Sequence, residues 1–220
     1  IYLSYANSFN PSAESLTSIS ANNQGVDPEK TRNVELGTKW DLFKKRLALT
    51  AAVFRTEKTN ARTPTSGSDP AVVLEGEQLV KGFELTATGQ VTPELQVLAS
   101  YTRLDSEIVK SNTAGEAGSD MPSVPKNSAT LWADYKLNKW QLGGGAQYLS
   151  DRFTNATNTN ELPSHVVWDA MVGYQVSPRV SVRLNGYNLT NKEYFTGAHP
   201  NSHVIPGAAR SAVLSANYAF

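Results

Sequence analysis

The chain has 220 residues, 40% of them hydrophobic and 18% charged, with 20 basic and 20 acidic side chains and no cysteine. Balanced charge gives no electrostatic footprint for nucleic acid, and the lack of thiols excludes a disulfide framework and a thiolate metal centre. No run reaches the roughly 18 consecutive apolar residues of a membrane helix, but a membrane β-barrel stays open, because its lumen-facing residues dilute the hydropathy.

The opening IYLSYANSF is already in strand pattern, with neither initiator methionine nor signal peptide, so the chain is expected to be part of a larger protein. Period-two alternation predicts a first strand over 1–9 and then, after a long polar segment at 10–30, strands over 31–42 and 46–61 joined by the basic turn Phe43-Lys44-Lys45. A loop at 62–70 leads to a strand over 71–92, where Phe83, Leu85, Ala87, Gly89 and Val91 oppose Glu84, Thr86, Thr88 and Gln90. The short turn Pro93-Glu94 precedes a strand over 95–109, and a loop at 110–125 precedes one over 126–137. In the latter, Leu131, Ala133, Tyr135 and Leu137 oppose Thr130, Trp132, Asp134 and Lys136. Asn138-Lys139 turns into a strand over 140–153, and a loop at 154–163 leads to one over 164–176. After Ser177-Pro178 comes a strand over 179–190, then a loop at 191–207 and a final strand over 208–220.

Short turns and long loops strictly alternate along these ten strands. In an antiparallel meander this puts every tight turn at one end and every long loop at the other, the layout of outer-membrane barrels. A soluble sandwich with Greek-key connections has no reason for such alternation. Trp40, Tyr135, Trp140, Tyr174, Tyr218 and Phe220 share the apolar face close to the short turns or the C-terminus, as an interfacial girdle would. Tyr148 lies on the same face as Trp140 and about 19 Å higher, for a strand tilted near 45°. The predicted class is therefore all-β, an antiparallel transmembrane β-barrel of about ten strands in a bacterial outer membrane and its lipid bilayer.

Several stretches carry a family resemblance. NVELGTKWDLFKKRLALTAAVF, KGFELTATGQVTPELQVLASYT, VPKNSATLWADYKL, LNGYNLTNKEYF and PGAARSAVLSANYAF follow one another in order. The set resembles the barrel of TonB-dependent siderophore receptors, and HPNSHVIPGAAR resembles their ferric-catecholate branch. The resemblance implies that residues 1–220 are the C-terminal portion of a barrel of roughly 22 strands, with the plug domain and the TonB-engaging segment absent. It implies TonB-driven uptake of a ferric siderophore, with no cofactor other than iron carried inside the chelate. It further implies that Leu214, Tyr218 and Phe220 form a signal for the outer-membrane assembly machinery, since a terminal strand edge is suited to strand addition.

A ferric catecholate is anionic and rimmed by aromatic rings, so guanidinium, ammonium and stacking groups suit it. Candidates near the long-loop end are Arg62, Lys110, Arg152, Phe153, Tyr194, Phe195, His199 and His203. His199 and His203 have the spacing of two metal ligands on a helix, but Pro200 and Pro206 argue against a helix there. Gly143–Gly145 has no following Lys-Ser or Lys-Thr and sits in a strand, which suggests close approach of another backbone, such as a plug wall. Asn155-Ala-Thr and Asn188-Leu-Thr are sequons that arise by chance in a bacterial-type protein. Asp105, Glu107, Asp134 and Asp169 are expected to be hydrated carboxylates of the lumen or loops. Two rival functions remain: a ten-stranded outer-membrane protease, which needs converging carboxylates and histidine, and a passive porin.

Overall fold

The computed structural model describes residues 1–10, 28–64, 72–199 and 203–220, without the side chains of 62–64 and 72–75. Ten long strands are present, in the predicted order: β1 (Tyr2–Asn10), β2 (Glu29–Leu42), β3 (Leu47–Pro64), β4 (Val72–Gln90), β5 (Leu95–Lys110), β6 (Asn127–Leu137), β7 (Trp140–Leu149), β10 (His165–Ser177), β11 (Val180–Tyr187) and β14 (Ser211–Tyr218). They form one antiparallel sheet in which each strand pairs with the next long strand, so β1 and β14 are its two edges. Four short strands lie in the loops as two separate hairpins: β8 (Arg152–Phe153) with β9 (Glu161–Leu162), and β12 (Phe195–Ala198) with β13 (Val204–Pro206).

The predicted strand over 140–153 is two strands. β7 stops at Leu149 because its partner β6 begins at Asn127. There the Asn127 amide donates to the Ser150 hydroxyl at 3.0 Å and the Ser150 amide to the Asn127 carbonyl at 2.9 Å, closing the pair. The predicted strand over 179–190 likewise ends at Tyr187, because Asn188 takes φ 47° and turns the chain out of the sheet.

The ladder registers confirm the two faces. One continuous row runs Trp40, Leu49, Ala87, Ala99, Leu131, Ala146, Trp168, directly opposed strand to strand. The neighbouring row on the other face runs Lys39, Thr50, Thr86, Ser100, Thr130, Gln147. A sheet with one apolar face and no covering layer has nowhere to build a core. Only Leu47, Ala52, Ala61, Ile108 and Leu162 are buried hydrophobics among the described residues, whereas Leu36, Trp40, Leu131 and Trp168 are each half exposed or more. The accessible surface is 14096 Å², against about 9,900 Å² for a compact water-soluble chain of this mass. Lipid replaces the missing layer: strands of this length span the hydrocarbon, with the backbone groups of the eight inner strands paired on both sides in the ladder.

The girdle is assembled by register. Leu137 opposes Trp140 and Trp140 opposes Tyr174, their rings 4.6 Å apart. Tyr218 opposes Val180 across the last hairpin and stands edge-on to Phe220 at 5.3 Å. Tyr148, opposed to Ala129 and Val166, sits three same-face positions above the row of Leu142, on the loop side.

Candidate ligand-binding rim

All long connections emerge at one end of the sheet, and there the structure ties two of the loop hairpins together. Arg152, at the start of β8, is only 4% exposed. Its Nη2 donates to the Phe195 carbonyl at 2.9 Å and the Thr196 carbonyl at 3.2 Å, so a side chain from the β7–β10 connection holds the backbone of β12. Burial pushes the guanidinium pKa down, and Nη1 is buried without a partner. The imidazole of His165, first residue of β10 and above the apolar band, lies 4.7 Å from the Tyr194 ring. Desolvation and then the Arg152 charge push the His165 pKa down, and its Nδ1 is also buried and unpartnered. His165 carried no signal in the sequence beyond its residue type. Its role comes from two loops meeting.

The other connections are anchored through asparagines. Asn158, at φ 53°, accepts from the Asp120 amide at 2.7 Å and donates to the Asp120 carbonyl at 2.9 Å, joining the β5–β6 and β7–β10 connections. Asn188, 2% exposed, donates to the carbonyls of Lys192 and Ala208 and accepts from the Lys192 amide. Its own amide donates to Asp169 at 2.8 Å, so Asp169 is a fastening for this corner rather than a hydrated lumen charge. Asp134 similarly accepts from Gln141 at 2.8 Å and 2.9 Å. Asn155 is 5% exposed and hydrogen-bonds to Thr159 through both side-chain ends.

Of the residues singled out from sequence, Arg152, Tyr194 and Phe195 come together in this one cluster. Phe153 pairs with Glu161 in the small hairpin, and its carbonyl accepts from Ser123. Lys110 stands exposed at the end of β5, opposite Glu77. His199 and His203 are exposed and face each other across the β12–β13 hairpin, where the His199 amide donates to the His203 carbonyl at 2.8 Å. That is hairpin spacing and not a helical ligand pair. The side chain of Arg62 lies outside the described residues. Among the described residues, no group of three or more His, Cys, Asp or Glu side chains converges on one point.

The close approach of another backbone expected at these strand glycines is present at Gly145, and it comes from β6 of the same wall. A Cβ on Gly143 would meet Trp132 at 3.0 Å and Met171 at 2.9 Å. On Gly145 it would strike the Leu131 carbonyl and meet the Trp132 ring at 2.8 Å. The glycines make room for the lumen-facing indole of Trp132, a side chain of the same wall.

The TonB dependent receptor-like beta-barrel family matches residues 1–189. The chain belongs to this family. Barrels of this family stand in the outer membrane, with tight turns towards the periplasm and long loops outside. The probable TonB-dependent siderophore receptor PiuA of Acinetobacter baumannii is 40% identical over 100% of this chain and 32% of its own length. Its crystal structure superposes with a TM-score of 0.91 over 98% of this chain and 33% of that one. The ferric-catecholate import receptor Fiu of Escherichia coli, in its closed form, gives a TM-score of 0.86 at 31% identity over 99% of this chain and 32% of that one. The ferrioxamine B receptor of Salmonella typhimurium is 33% identical over 100% of this chain and 32% of its own length. The chain thus spans about a third of the length of these relatives. All three are receptors rather than enzymes.

Proposed function

We propose that this chain supplies barrel wall and extracellular loops to an outer-membrane receptor that imports ferric siderophores, with transport driven through TonB by parts of the receptor outside these 220 residues. The observation that carries the proposal is the 40% identity to PiuA across the whole chain, with the loop regions inside the matched span. The barrel alone would fit a porin. What favours a receptor is a loop end tied by directed bonds, which presents Tyr194, Phe195 and the exposed His199 and His203 on a fixed frame. Such a rim recognises the outer surface of a chelate already wrapped around its iron, by stacking and by cation–anion attraction. Arg152 acts here by positioning the β12 backbone, with one free guanidinium nitrogen. Against the protease reading, His165 has Arg152, Lys192, Tyr194 and the Pro163 carbonyl around it and, among the described residues, no carboxylate to orient it.

The relatives include receptors named for a catecholate and for ferrioxamine B, so the chelate class is the point to test. Catecholate is our first choice, on the resemblance of the 199–210 loop. The full-length protein in detergent would be titrated with a ferric catecholate, a ferric hydroxamate and an iron-free chelator. Selective binding of the ferric catecholate supports the proposal in full, and selective binding of the hydroxamate keeps the receptor but reassigns its cargo. Binding of none by a folded barrel overturns it.

The assembly role of the terminal strand belongs to the same reading. Leu214 is 71% exposed on the lipid side, and Tyr218 and Phe220 form the aromatic pair at the foot of β14. Before a barrel closes, a terminal strand with apolar anchors along one face is what a strand-adding assembly machine can grip.

A further inference from the structure

The tip of the β12–β13 hairpin sets two histidines face to face. Pairing runs from Gly197 with Ile205 and Ala198 with Val204 to His199 and His203, where the His199 amide donates to the His203 carbonyl at 2.8 Å. Directly opposed residues of an antiparallel pair project from the same face, with Cβ atoms about 4.5–5.5 Å apart. Two imidazole nitrogens about 2.0–2.1 Å from one ion, at the tetrahedral angle, are about 3.4 Å apart, a gap that small tilts of the two rings close. The four-residue spacing thus brings the pair together across a hairpin instead of along a helix. Both side chains are exposed, and neither imidazole has a hydrogen bond or ion pair among the described residues. On the same face, Gly197 presents no side chain next to His199, and Ile205 lies against that position, its Cδ1 3.7 Å from where a Cβ would stand. Below the pair the hairpin is fastened. Arg152 Nη2 holds the carbonyls of Phe195 and Thr196, the Thr196 hydroxyl donates to the Ile205 carbonyl at 3.2 Å, and the Gly207 amide to the Tyr194 carbonyl at 2.8 Å.

We infer that His199 and His203 together bind one divalent copper or zinc ion at the extracellular rim, through one ring nitrogen each, with water completing the coordination. The donor set chooses the ion. Imidazole suits copper, nickel and zinc, and copper(II) heads the affinity order of the divalent first-row metals. Calcium and magnesium need several oxygen ligands, and among the described residues no carboxylate or third histidine joins the pair. Folding rather than the ion brings the two ligands together, so little ordering is left to oppose binding. Structural zinc sites have four protein ligands; a site with two exchanges its ion with the medium. Once bound, the ion links the two strands side chain to side chain and holds residues 199 and 203 together. The iron of a chelate is already wrapped by its own ligands, so this site takes a free ion, and the inference does not rest on the siderophore reading.

The test uses the untagged full-length protein in detergent, freed of metal and titrated calorimetrically with copper(II), zinc and calcium chlorides. The expected result is one equivalent of copper or zinc whose binding His199→Gln or His203→Gln weakens at least ten-fold, with no such event for calcium. Copper-loaded protein should show hyperfine splitting from two nitrogens in its electron paramagnetic resonance spectrum. A further variant exchanges two neighbours. His203→Val with Val204→His keeps both histidines in the hairpin, on side chains that are exposed, but moves one ring to the opposite face. It should lose as much affinity as His203→Gln. Zinc should also slow amide exchange at His199 at least three-fold in the native protein and not in the exchanged variant. Unchanged binding in the glutamine variants, native affinity in the exchanged variant, or calcium bound equally well by the same two residues would each overturn the inference.

Discussion

The two ends of the sheet are built by different means. At the turn end the chain reverses within a few residues, using only local chemistry. Phe43, Lys44 and Lys45 take φ of 51°, 58° and 69°, Asn138 takes 54°, and the Thr92 hydroxyl accepts from the Glu94 and Leu95 amides. Left-handed φ at non-glycine residues costs about a kcal/mol or more each, offset here by the long ladders that each turn closes. At the loop end the reversals are long, and bonds between side chains and distant backbone do the fixing: Arg152 to 195 and 196, Asn158 to 120, Asn188 to 208. One end is set by neighbours in sequence and the other by neighbours in space. A family can therefore alter its loops for new cargo while the frame stays the same.

That contrast can be broken at its foot. Deleting Phe220 should lower the amount of folded receptor in the outer membrane several-fold, visible as loss of the heat-modifiable band, because the terminal strand loses its interfacial anchor and recognition end. Arg152→Ala should act only at the opposite end. Losing the charged donor to 195 and 196 should release the β12–β13 hairpin by about 1.5–3 kcal/mol, read as ten-fold or more faster amide exchange at Gly207 and His199, with β2–β5 unaffected. If exchange in the strands rises equally, the ends are not independent. Gly145→Val should destabilise the wall by about 1–3 kcal/mol through collision with Leu131 and Trp132. Combining it with Trp132→Ala should recover part of that, as seen in the denaturation midpoint.

The smallest expected effect is a pH dependence of the rim. The folded pKa of His165 lies below its ordinary 6.5, through burial and the nearby Arg152 and Lys192 charges. The clasp is therefore fully stable above pH 6.5 and weakens as pH falls from there through the folded value. Exchange at His199 and Gly207 should accelerate on acidification, and His165→Gln should flatten that profile. A flat profile in the wild type would remove His165 from the clasp.

The wall was legible because its physics has period two: all ten long strands, both faces and the alternation of turns and loops could be read from residue type alone. Boundaries failed where the end of a strand depends on its partner, as at Leu149, which stops because β6 does. The rim was legible as a list of types but not as an arrangement. Arg152 reads as a surface cation until the hairpin folds over it, and Asp169 as a lumen charge until Asn188 arrives. The glycines at 143 and 145 point to crowding, yet nothing local says that the crowding group is Trp132, eleven and thirteen residues earlier.

The buried asparagine corners have a practical consequence for anyone producing this protein as an antigen. Asn155-Ala-Thr and Asn188-Leu-Thr are glycan acceptor sites in a eukaryotic secretory pathway, where sugars are attached to the chain as it emerges. In the folded rim those two side chains are 5% and 2% exposed, and their amide nitrogens already donate to Thr159 and to the carbonyls of 192 and 208. A glycan on either would keep its loop from closing. Material secreted from such cells would show the immune system a rim that no bacterium displays, unless Thr157 and Thr190 were first replaced.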